Sequence, residues 1–516
     1  YGHVSDGMIC SLAEIGRPGD SSGIMVLEPG SAQPGDDAIA LLGLDEVVLD
    51  LEVNPDRAYA LSMRGVARDA AIALGVAFHD PADVEVSTEG RAYPVRVDDA
   101  EACPVFVTRE VTGFDPARPS PAWMVDRLTA AGMRSISLAV DVSNYVMLEL
   151  GQPNHAYDKA KLTGDIVVRR PDAGDRLTTL DDVERTLDPN DLLIADDAGP
   201  VGLAGVMGAA HVEIDEHTTD IVIECACFDA PTVFRTARRH KLVSEASKRN
   251  ERGIDVTLQQ RAATRVGELM VELGGGTLSP GMTVVGESPA PTRITLAADL
   301  TTRITGVEVD TSTCVDALEV NGCVVEVAGD RLSVTPPPWR PDLTDRYDVV
   351  EEVLHVVGYD QVPSILPSAP AGRGLTQAQT LRRRVGMVLA GAGLVEVKTF
   401  PFTGPAALDR LGLAADDDRR RQVLLENPLS AESPGMTTTL LPGLLDALAL
   451  NVGRGHADVQ LVEIGRVFHP QADGAVAPIY PVDDRPSPGQ VAAFAAALPD
   501  QPQHVALLLH GDRERS

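Results

Sequence analysis

Two proline-containing segments constrain the domain organisation of this chain most, because they interrupt the strand and helix patterns on either side of them. The segments are GESPAPT at 286–292 and PSILPSAPAGRGL at 363–375, and both have the composition of linkers. A chain of 516 residues has room for roughly three or four domains. The linkers therefore predict separate regions at 91–285, 293–362 and 376–516, preceded by a shorter N-terminal part. The predicted fold class is α+β multidomain.

The N-terminal part is expected to hold two small pieces of structure. Residues 1–45 combine short apolar runs with Gly/Pro turns, which is typical of the end of a small β-barrel. Residues 46–90 predict a scaffold segment, in which an alternating strand at Val47–Val53 leads into a helix at Arg57–Leu74. Gly75 then stands where a helix commonly ends.

The region 91–285 alternates strand and helix patterns without a βαβ repeat, so it predicts one α+β domain. A helical pattern begins near Pro231, and a longer one reaches Leu273 before three glycines stop it. Strand candidates are Ile166–Arg170, Asp191–Ala195, Val201–Val206 and Asp220–Ala226.

The two later regions have simpler patterns. Residues 293–362 predict short helices and a hairpin, VVEVAGDRLSVTP, whose size and order fit a winged-helix-like module. Residues 376–516 predict a helix at Ala378–Ala392 and strands within VEVKTFPF and DVQLVEIGRVF.

The net charge of −32 argues against general nucleic-acid binding, because an acidic surface repels phosphate. One stretch departs from this background: residues 235–252 hold seven Lys or Arg and two Glu. A solvated helix face is the structural alternative, but the contrast with the acidic chain favours contact with phosphates. The candidate contacts are Arg235, Arg238, Arg239, Lys241, Lys248 and Arg249.

Composition also indicates the cellular environment of the chain. No apolar run approaches the roughly 20 residues that a membrane helix needs, and the first residues do not resemble a secretory signal. Both ends look cut, so a fragment of a longer chain is expected. Six cysteines in 516 residues suggest a reducing cytoplasm. Cys225 and Cys227 would point the same way from one strand, which hints at a metal, although two small core residues are the simpler interpretation.

Four carboxylates in WRPDLTDRYDVVEEV form a second candidate site. Asp348, Glu351 and Glu352 share one helix face, since they are spaced i, i+3 and i+4, and Asp342 precedes that helix. Like charges this close favour a cation among them, and oxygen ligands suit Mg²⁺. The alternative is an acidic helix start that is stabilised by the helix dipole.

A long run at 141–158, DVSNYVMLELGQPNHAYD, is the most specific motif. Taken alone, it could be a buried strand and turn with a satisfied histidine. Three further pieces follow in order: VGLAGVMGAA, DIVIECACF and ARRHKLVSEASKRNERGID. Together they resemble the bacterial phenylalanyl-tRNA synthetase β-subunit family, and the runs are those that line that family's editing pocket.

The resemblance implies roles for five residues. His155 would lie beside the bound ester, and Glu224 would read the hydroxyl of a wrongly attached tyrosine. Gly208, Ser244 and Ala246 would line the pocket. The logic is physical as well, because an apolar activation pocket cannot strongly reject an added hydroxyl and a second hydrolytic site can correct the error.

Two positions in these runs depart from the family pattern. Asn250 stands where an aromatic residue is usual, and Tyr157 stands where Phe is common. Local alternatives also remain open for two proposed site residues: Glu224 as a capping or salt-bridge residue, and Ser244 as a helix cap.

The resemblance implies the remaining architecture too. It predicts a partial OB-like barrel, an α+β editing (B3/B4) domain, a winged-helix-like (B5) module, and a degenerate class II synthetase antiparallel sheet with helices. Because the last region lacks an arginine-bearing ATP motif, ATP would bind in a catalytic α subunit. The family implies an (αβ)₂ heterotetramer, tRNA(Phe) as partner, and Mg²⁺ shared with the α subunit through Asp342, Asp348, Glu351 and Glu352.

The function implied is that of a phenylalanine–tRNA ligase β chain that also hydrolyses Tyr-tRNA(Phe). A non-catalytic scaffold with an inactive editing pocket is the alternative. A free-standing deacylase is a third possibility, but it would need neither the synthetase-like region nor the carboxylate cluster.

Overall fold

The computed structural model describes residues 7, 9–16, 23–27, 29–87, 89–368, 372, 374–471 and 477–511. The chain divides into two compact units, Tyr1–Ile365 and Leu366–Ser516. Within the described ranges, no helix is both long and apolar enough to cross a membrane.

The N-terminal part contains fewer regular elements than its sequence predicts. Val47–Val53 forms no strand, because its apolar side chains are largely exposed and no described segment pairs with it. The predicted helix begins late, since Ser62 caps it and a 3₁₀ turn at Ala58–Ala60 precedes it. Its end is confirmed at Gly75, where φ is +63°. The helices are α1 (Ala38–Leu42) and α2 (Met63–Leu74).

The predicted barrel strands are not found in the described part of 1–45. That part holds only a 3₁₀ turn and α1, while residues 1–6, 8, 17–22 and 28 lie outside the described residues. A barrel edge needs neighbouring strands that pair over several residues, and the described residues of this part form no strand, although the Met25 N–H donates to the Cys10 carbonyl.

The middle region contains two five-stranded sheets and a short two-stranded sheet, with helices packed into both of its cores. All four predicted strands are present, with ends that differ by at most three residues. In the motif 141–158 the first residues are helical rather than extended, and the strand follows them. The elements are β1 (Val95–Val97), β2 (Val105–Thr112), α3 (Ala122–Ala130), α4 (Leu138–Leu150), β3 (Asn154–Asp158), β4 (Ile166–Arg169), β5 (Arg176–Thr178), β6 (Glu184–Thr186), β7 (Leu193–Asp196), β8 (Gly199–Leu203), β9 (Met207–Gly208), β10 (Ile221–Cys227), α5 (Ala230–His240), α6 (Glu245–Asn250), α7 (Gln259–Gly274), β11 (Thr277–Leu278) and β12 (Thr283–Gly286).

Alternation along β10 decides which side chains enter which core. The first sheet is antiparallel in the order β11-β2-β10-β3, with β12 also paired to β2. Ile221, Ile223, Cys225 and Cys227 pack against α4 and α7, which gives both cysteines an ordinary core position. Val222 and Ala226 face the opposite way, into a second core.

The second core lies between the first sheet and a second sheet ordered β1-β4-β7-β8-β9. In this second sheet only the β1–β4 pair is parallel. Phe106 and Tyr157 reach the core from the first sheet, and Ile166, Leu193 and Val201 reach it from the second. The side chains that β3 and β10 project to that face therefore lie between the two sheets.

The following module is a three-stranded antiparallel sheet with helices. Its strand order is β13-β15-β14, and the predicted hairpin forms its last two strands. Leu318, Leu332 and Val349 are among the residues of its core. Its elements are β13 (Ile294–Ala297), α8 (Leu300–Thr305), α9 (Thr311–Val320), β14 (Val324–Ala328), β15 (Arg331–Thr335) and α10 (Arg346–Val357).

The second unit is built around a small sheet in the order β16-β19-β20. The predicted antiparallel pairing is present between β19 and β20, whereas the short β16 pairs with β19 in parallel. The predicted helix is present with each end one residue earlier. Its elements are α11 (Gln377–Gly391), β16 (Val395–Glu396), β17 (Phe402–Thr403), α12 (Pro405–Arg410), β18 (Gly435–Met436), α13 (Leu441–Gly453), β19 (Val459–Arg466), α14 (Pro488–Ala497) and β20 (Gln503–His510).

Candidate functional site

His155 and Glu224 lie directly opposite each other on the neighbouring strands β3 and β10. Residues paired across two antiparallel strands project to the same face. That face is the one from which Val222 and Ala226 enter the second core, so both side chains point between the two sheets. Strand alternation and register thus bring together the two residues predicted from the editing motif.

Tyr157 is a third member of this group, and sequence reasoning noted it only as a departure from the family pattern. It follows His155 by two positions, which places it on the same face of β3. Its hydroxyl donates a hydrogen bond to Glu224 Oε2, and its ring meets the His155 ring edge-on with centroids 4.6 Å apart. Tyr157 is 1% exposed and Glu224 5% exposed. The two-residue spacing was the signal that would have found it.

Gly208 lies against the His155 ring from the second sheet. A Cβ atom at position 208 would stand 2.6 Å from both Cε1 and Nε2 of that ring, closer than real contacts allow. Gly208 is paired with Gly202 of β8, so backbone approaches backbone on its other side. Its lack of a side chain therefore makes room for His155.

Ser244 and Ala246 lie at the start of α6, beside the turn that leads into β9. Ser244 caps this helix in a reciprocal capping box with Ser247, so the helix-cap interpretation is confirmed. Its hydroxyl also donates to the Val206 carbonyl at 2.8 Å. Asn250 Nδ2 donates to the carbonyls of Gly205 and Ala246, each at 3.1 Å. These bonds hold α6 against the turn before Gly208, and Asn250 fills its position with polar contacts.

Burial shifts the ionisation of both central residues. It raises the pKa of Glu224 to about 7, and the hydrogen bond from Tyr157 opposes this rise. Burial lowers the pKa of His155 to about 4, so its imidazole is neutral at pH 7. Its Nε2 atom is buried and has no hydrogen-bond partner within the described part of the chain. A neutral imidazole with an unused nitrogen can bind or orient a water molecule or a ribose hydroxyl.

The four carboxylates of the smaller module are bound by arginines and backbone rather than grouped around an empty centre. Arg340 makes two bonds of 2.6 Å to the fully buried Glu352, and it also pairs with Asp342 at 2.7 Å. Arg57 bonds to Glu352 at 2.9 Å and to Glu351 at 3.2 Å. These partners were not predicted from the sequence.

Asp348 has a local role, since its Oδ2 accepts the backbone N–H groups of Thr344 and Asp345. In the ranges that the structure describes, no three His, Cys, Asp or Glu side chains are arranged to hold a metal ion. Two guanidinium groups already neutralise the buried carboxylate, so this arrangement does not fit a bound Mg²⁺.

Some of the basic side chains in residues 235–252 form ion pairs. Arg239 pairs with the buried Asp191, and Lys248 pairs with Glu245 at 2.5 Å. The expectation that Arg249 contacts phosphate is wrong for this structure, because its buried guanidinium donates to the Leu61 carbonyl and to Glu245. Four candidates on or beside α5 are exposed, and of these only Arg239 forms an ion pair among the described residues, which leaves Arg235, Arg238 and Lys241.

Three family models match successive parts of the chain. Residues 102–275 match the family model described as "B3/4 domain", and residues 294–359 match "tRNA synthetase B5 domain". Residues 362–516 match "Phenylalanyl tRNA synthetase beta chain CLM domain".

Curated relatives match over the full chain. The phenylalanine–tRNA ligase β subunit of Streptomyces avermitilis is 53% identical over 100% of this chain, and that of Thermobifida fusca is 52% identical over 100%. The chain spans 62% of the length of each relative. A solved N-terminal fragment of the phenylalanyl-tRNA synthetase β subunit from Pyrococcus horikoshii has a TM-score of 0.32 and 16% identity, covering 59% of this chain and 85% of its own.

Proposed function

Because the chain belongs to the phenylalanine–tRNA ligase β-subunit family, we propose that its middle region hydrolyses tRNA(Phe) wrongly charged with tyrosine. The observation that carries this proposal is the pairing of His155 and Glu224 on adjacent strands of the first sheet, with both side chains directed towards the second sheet. Glu224 is a buried carboxylate whose hydrogen bond comes from a tyrosine hydroxyl and whose pKa shift owes nothing to a cation. Such a group is suited to recognising a phenol.

Recognition follows from the cost of leaving buried polar groups unpaired. A tyrosyl ester brings a hydroxyl that can donate to Glu224, whereas a phenylalanyl ester leaves that oxygen without a partner. A site built to bond a hydroxyl rejects the analogue that lacks it, which is the discrimination an apolar activation pocket cannot supply. The correct product, Phe-tRNA(Phe), would therefore be spared.

Hydrolysis in this proposal depends on positioned water. His155 is neutral at pH 7, and its unpaired Nε2 is the atom that can hold a water molecule or the terminal ribose. Gly208 keeps the ring in place by leaving space for it. Ser244 and Ala246 are proposed to line the pocket, with Ser244 acting through its bond to the turn before β9.

The wider role is proposed from the family. The full-length β chain would join an α subunit in an (αβ)₂ assembly in the cytoplasm, and that assembly would attach phenylalanine to tRNA(Phe), using ATP bound in α. Arg235, Arg238 and Lys241 are the proposed tRNA contacts of this region. Mg²⁺ binding by Asp342, Asp348, Glu351 and Glu352 would need Arg57 and Arg340 to release their carboxylates, and no step here depends on it.

One observation favours the alternative of a scaffold with an inactive pocket. Tyr157 already occupies one oxygen of Glu224, so the site is partly filled by a phenol of its own chain. The remaining oxygen, Oε1, has no hydrogen bond among the described residues, which leaves one acceptor for a substrate. A measurement of hydrolysis separates the two functions.

The test uses the α–β complex with the full-length β subunit. Deacylation of Tyr-tRNA(Phe) and Phe-tRNA(Phe) is measured for the wild type, Glu224→Gln and the control Glu110→Gln. Glu110 lies on β2 of the same sheet but pairs with Lys159. We expect the wild type and the control to prefer the tyrosyl ester, and Glu224→Gln to lose most of that preference. A wild type no faster than the uncatalysed ester would make the chain a scaffold.

A further inference from the structure

Tyr157 does more in this site than fill a core position. A phenylalanine would pack there with nearly the same shape, and a buried hydroxyl is unfavourable unless it is bonded. The hydroxyl of Tyr157 is bonded to Glu224, the residue proposed to read the substrate. Its ring also touches His155. One side chain therefore contacts both central residues of the proposed site.

We infer that Tyr157 is a positioning residue that sets substrate specificity, because its hydroxyl holds Glu224 so that Oε1 is presented to the phenol of a tyrosyl ester. This inference rests on the proposed editing function. The carboxylate is anchored at two points: its backbone is fixed by pairing between β10 and both neighbouring strands, and its Oε2 is fixed by Tyr157. The direction of Oε1 then follows.

The same contact controls the charge of the acceptor. An ionised carboxylate accepts a hydrogen bond from a phenol more strongly than a neutral carboxyl group does. Burial holds the pKa of Glu224 at about 7, and the bond from Tyr157 keeps it from rising further. Without that hydroxyl, a larger share of Glu224 is protonated at neutral pH and the preference for tyrosine weakens.

The neighbouring titratable groups leave Glu224 as the group that changes charge near pH 7. From β3 it faces His155, whose pKa is about 4, and Tyr157, whose pKa is raised well above its usual value by burial. Cys103, before β2, also has a raised pKa. Thr108, its partner on β2, and Gly208, on β9 against His155, do not ionise. A pH profile between 6 and 8.5 therefore reports on Glu224.

The experiment measures the preference for Tyr-tRNA(Phe) over Phe-tRNA(Phe) across that pH range, with the uncatalysed rate subtracted. The full α–β complex is compared as wild type and as Tyr157→Phe. Tyr93→Phe is the matched control, because the Tyr93 hydroxyl donates to the Gly164 carbonyl at 2.8 Å rather than to a carboxylate. We expect the preference of the wild type for the tyrosyl ester to rise with pH, with a midpoint near pH 7. Tyr93→Phe should give the same profile.

For Tyr157→Phe we expect that midpoint to move up by about one pH unit or more, with about tenfold less preference at pH 7. An unchanged midpoint and preference would overturn the inference, as would faster cleavage of Tyr-tRNA(Phe) at an unchanged midpoint, since the hydroxyl would then only compete with substrate. Tyr157→Met, which fills the space without a hydroxyl, provides a second variant should Tyr157→Phe fold poorly.

The experiments distinguish failure of the editing function from failure of the role of Tyr157. If the wild-type complex shows no deacylation above background, the editing function fails and the inference falls with it. If the wild type prefers the tyrosyl ester, Glu224→Gln loses that preference and Tyr157→Phe keeps it, only the role of Tyr157 is wrong.

Discussion

Two buried glutamates in this chain have opposite surroundings. Glu352 is enclosed by Arg340 and Arg57, and these arginines lower its pKa. Glu224 has a tyrosine hydroxyl as its partner, and burial raises its pKa to about 7. A buried carboxylate with matched cations serves structure, because its charge is fully used. One without a cation keeps binding capacity and titrates near neutrality, which is what a recognition site needs.

The largest expected effect comes from removing the cation of the structural carboxylate. Arg340→Met leaves Glu352 buried with only Arg57, and it also removes the partner of Asp342. Breaking a buried pair by deleting one partner costs about 3–5 kcal/mol. We expect the free energy of unfolding, measured in urea, to fall by that amount.

A double variant, Arg340→Met with Glu352→Gln, is the control for this result. It removes the uncompensated charge, so much of the lost stability should return. Equal losses in the single and double variants would show that Arg340 acts through packing over Tyr59 rather than through Glu352.

The opposite change in stability is expected when the charge of Glu224 is removed. A carboxyl whose pKa is raised in the folded state destabilises the fold where the unfolded chain ionises first. For Glu224 this penalty is absent below about pH 4.5, grows up to about pH 7 and is constant above it. Glu224→Gln should therefore stabilise the protein by up to about 3 kcal/mol at pH 8, and by little at pH 5. Urea unfolding at both values measures it, and a gain that does not depend on pH would contradict this account.

The contrast between the two glutamates also shows what sequence could predict. The alternating pattern at Asp220–Ala226 placed Glu224 on a strand, and the HAYD spacing places His155 and Tyr157 on one face. Both depend only on local periodicity. Arg57 was missed as a partner of Glu352 because it lies 295 positions away in sequence. Arg340 is only 12 positions away, but it precedes the helix, so helical spacing does not relate it to Glu352. The same limit explains Arg249, whose carbonyl partner Leu61 is 188 positions away.

Prediction from local sequence periodicity failed where a strand or a charged side chain needs a partner from elsewhere in the chain. Val47–Val53 alternates like a strand, yet within the described residues no other strand pairs with it. The Mg²⁺ prediction had the same weakness, since helix spacing placed Asp348, Glu351 and Glu352 close together without showing which cations already lie there. Local periodicity therefore predicted which side chains lie on the same face as Glu224, but it could not predict the partners of the ionic cluster.

A smaller effect is expected from filling the space beside His155. In Gly208→Ala the new Cβ would lie 2.6 Å from the imidazole, so the ring must move. Overpacking of this kind costs about 1–3 kcal/mol, and misplacing the ring should slow deacylation of Tyr-tRNA(Phe) at least about tenfold. Gly202→Ala is the matched control on the paired strand, because its Cβ would meet only contacts of 3.5 Å. Equal activity of both variants would remove His155 from the reaction.

The smallest effect is expected at the helix that supports the turn before Gly208. Ser244→Ala removes the cap of α6 and the bond to the Val206 carbonyl, which should lower stability by about 1 kcal/mol. Thr376→Ala removes a similar cap in the second unit and should cost about as much. Only Ser244→Ala should also reduce deacylation of Tyr-tRNA(Phe), because only its helix holds the turn that leads to Gly208. If both variants lose stability and neither loses activity, α6 supports the fold without positioning the carboxylate site.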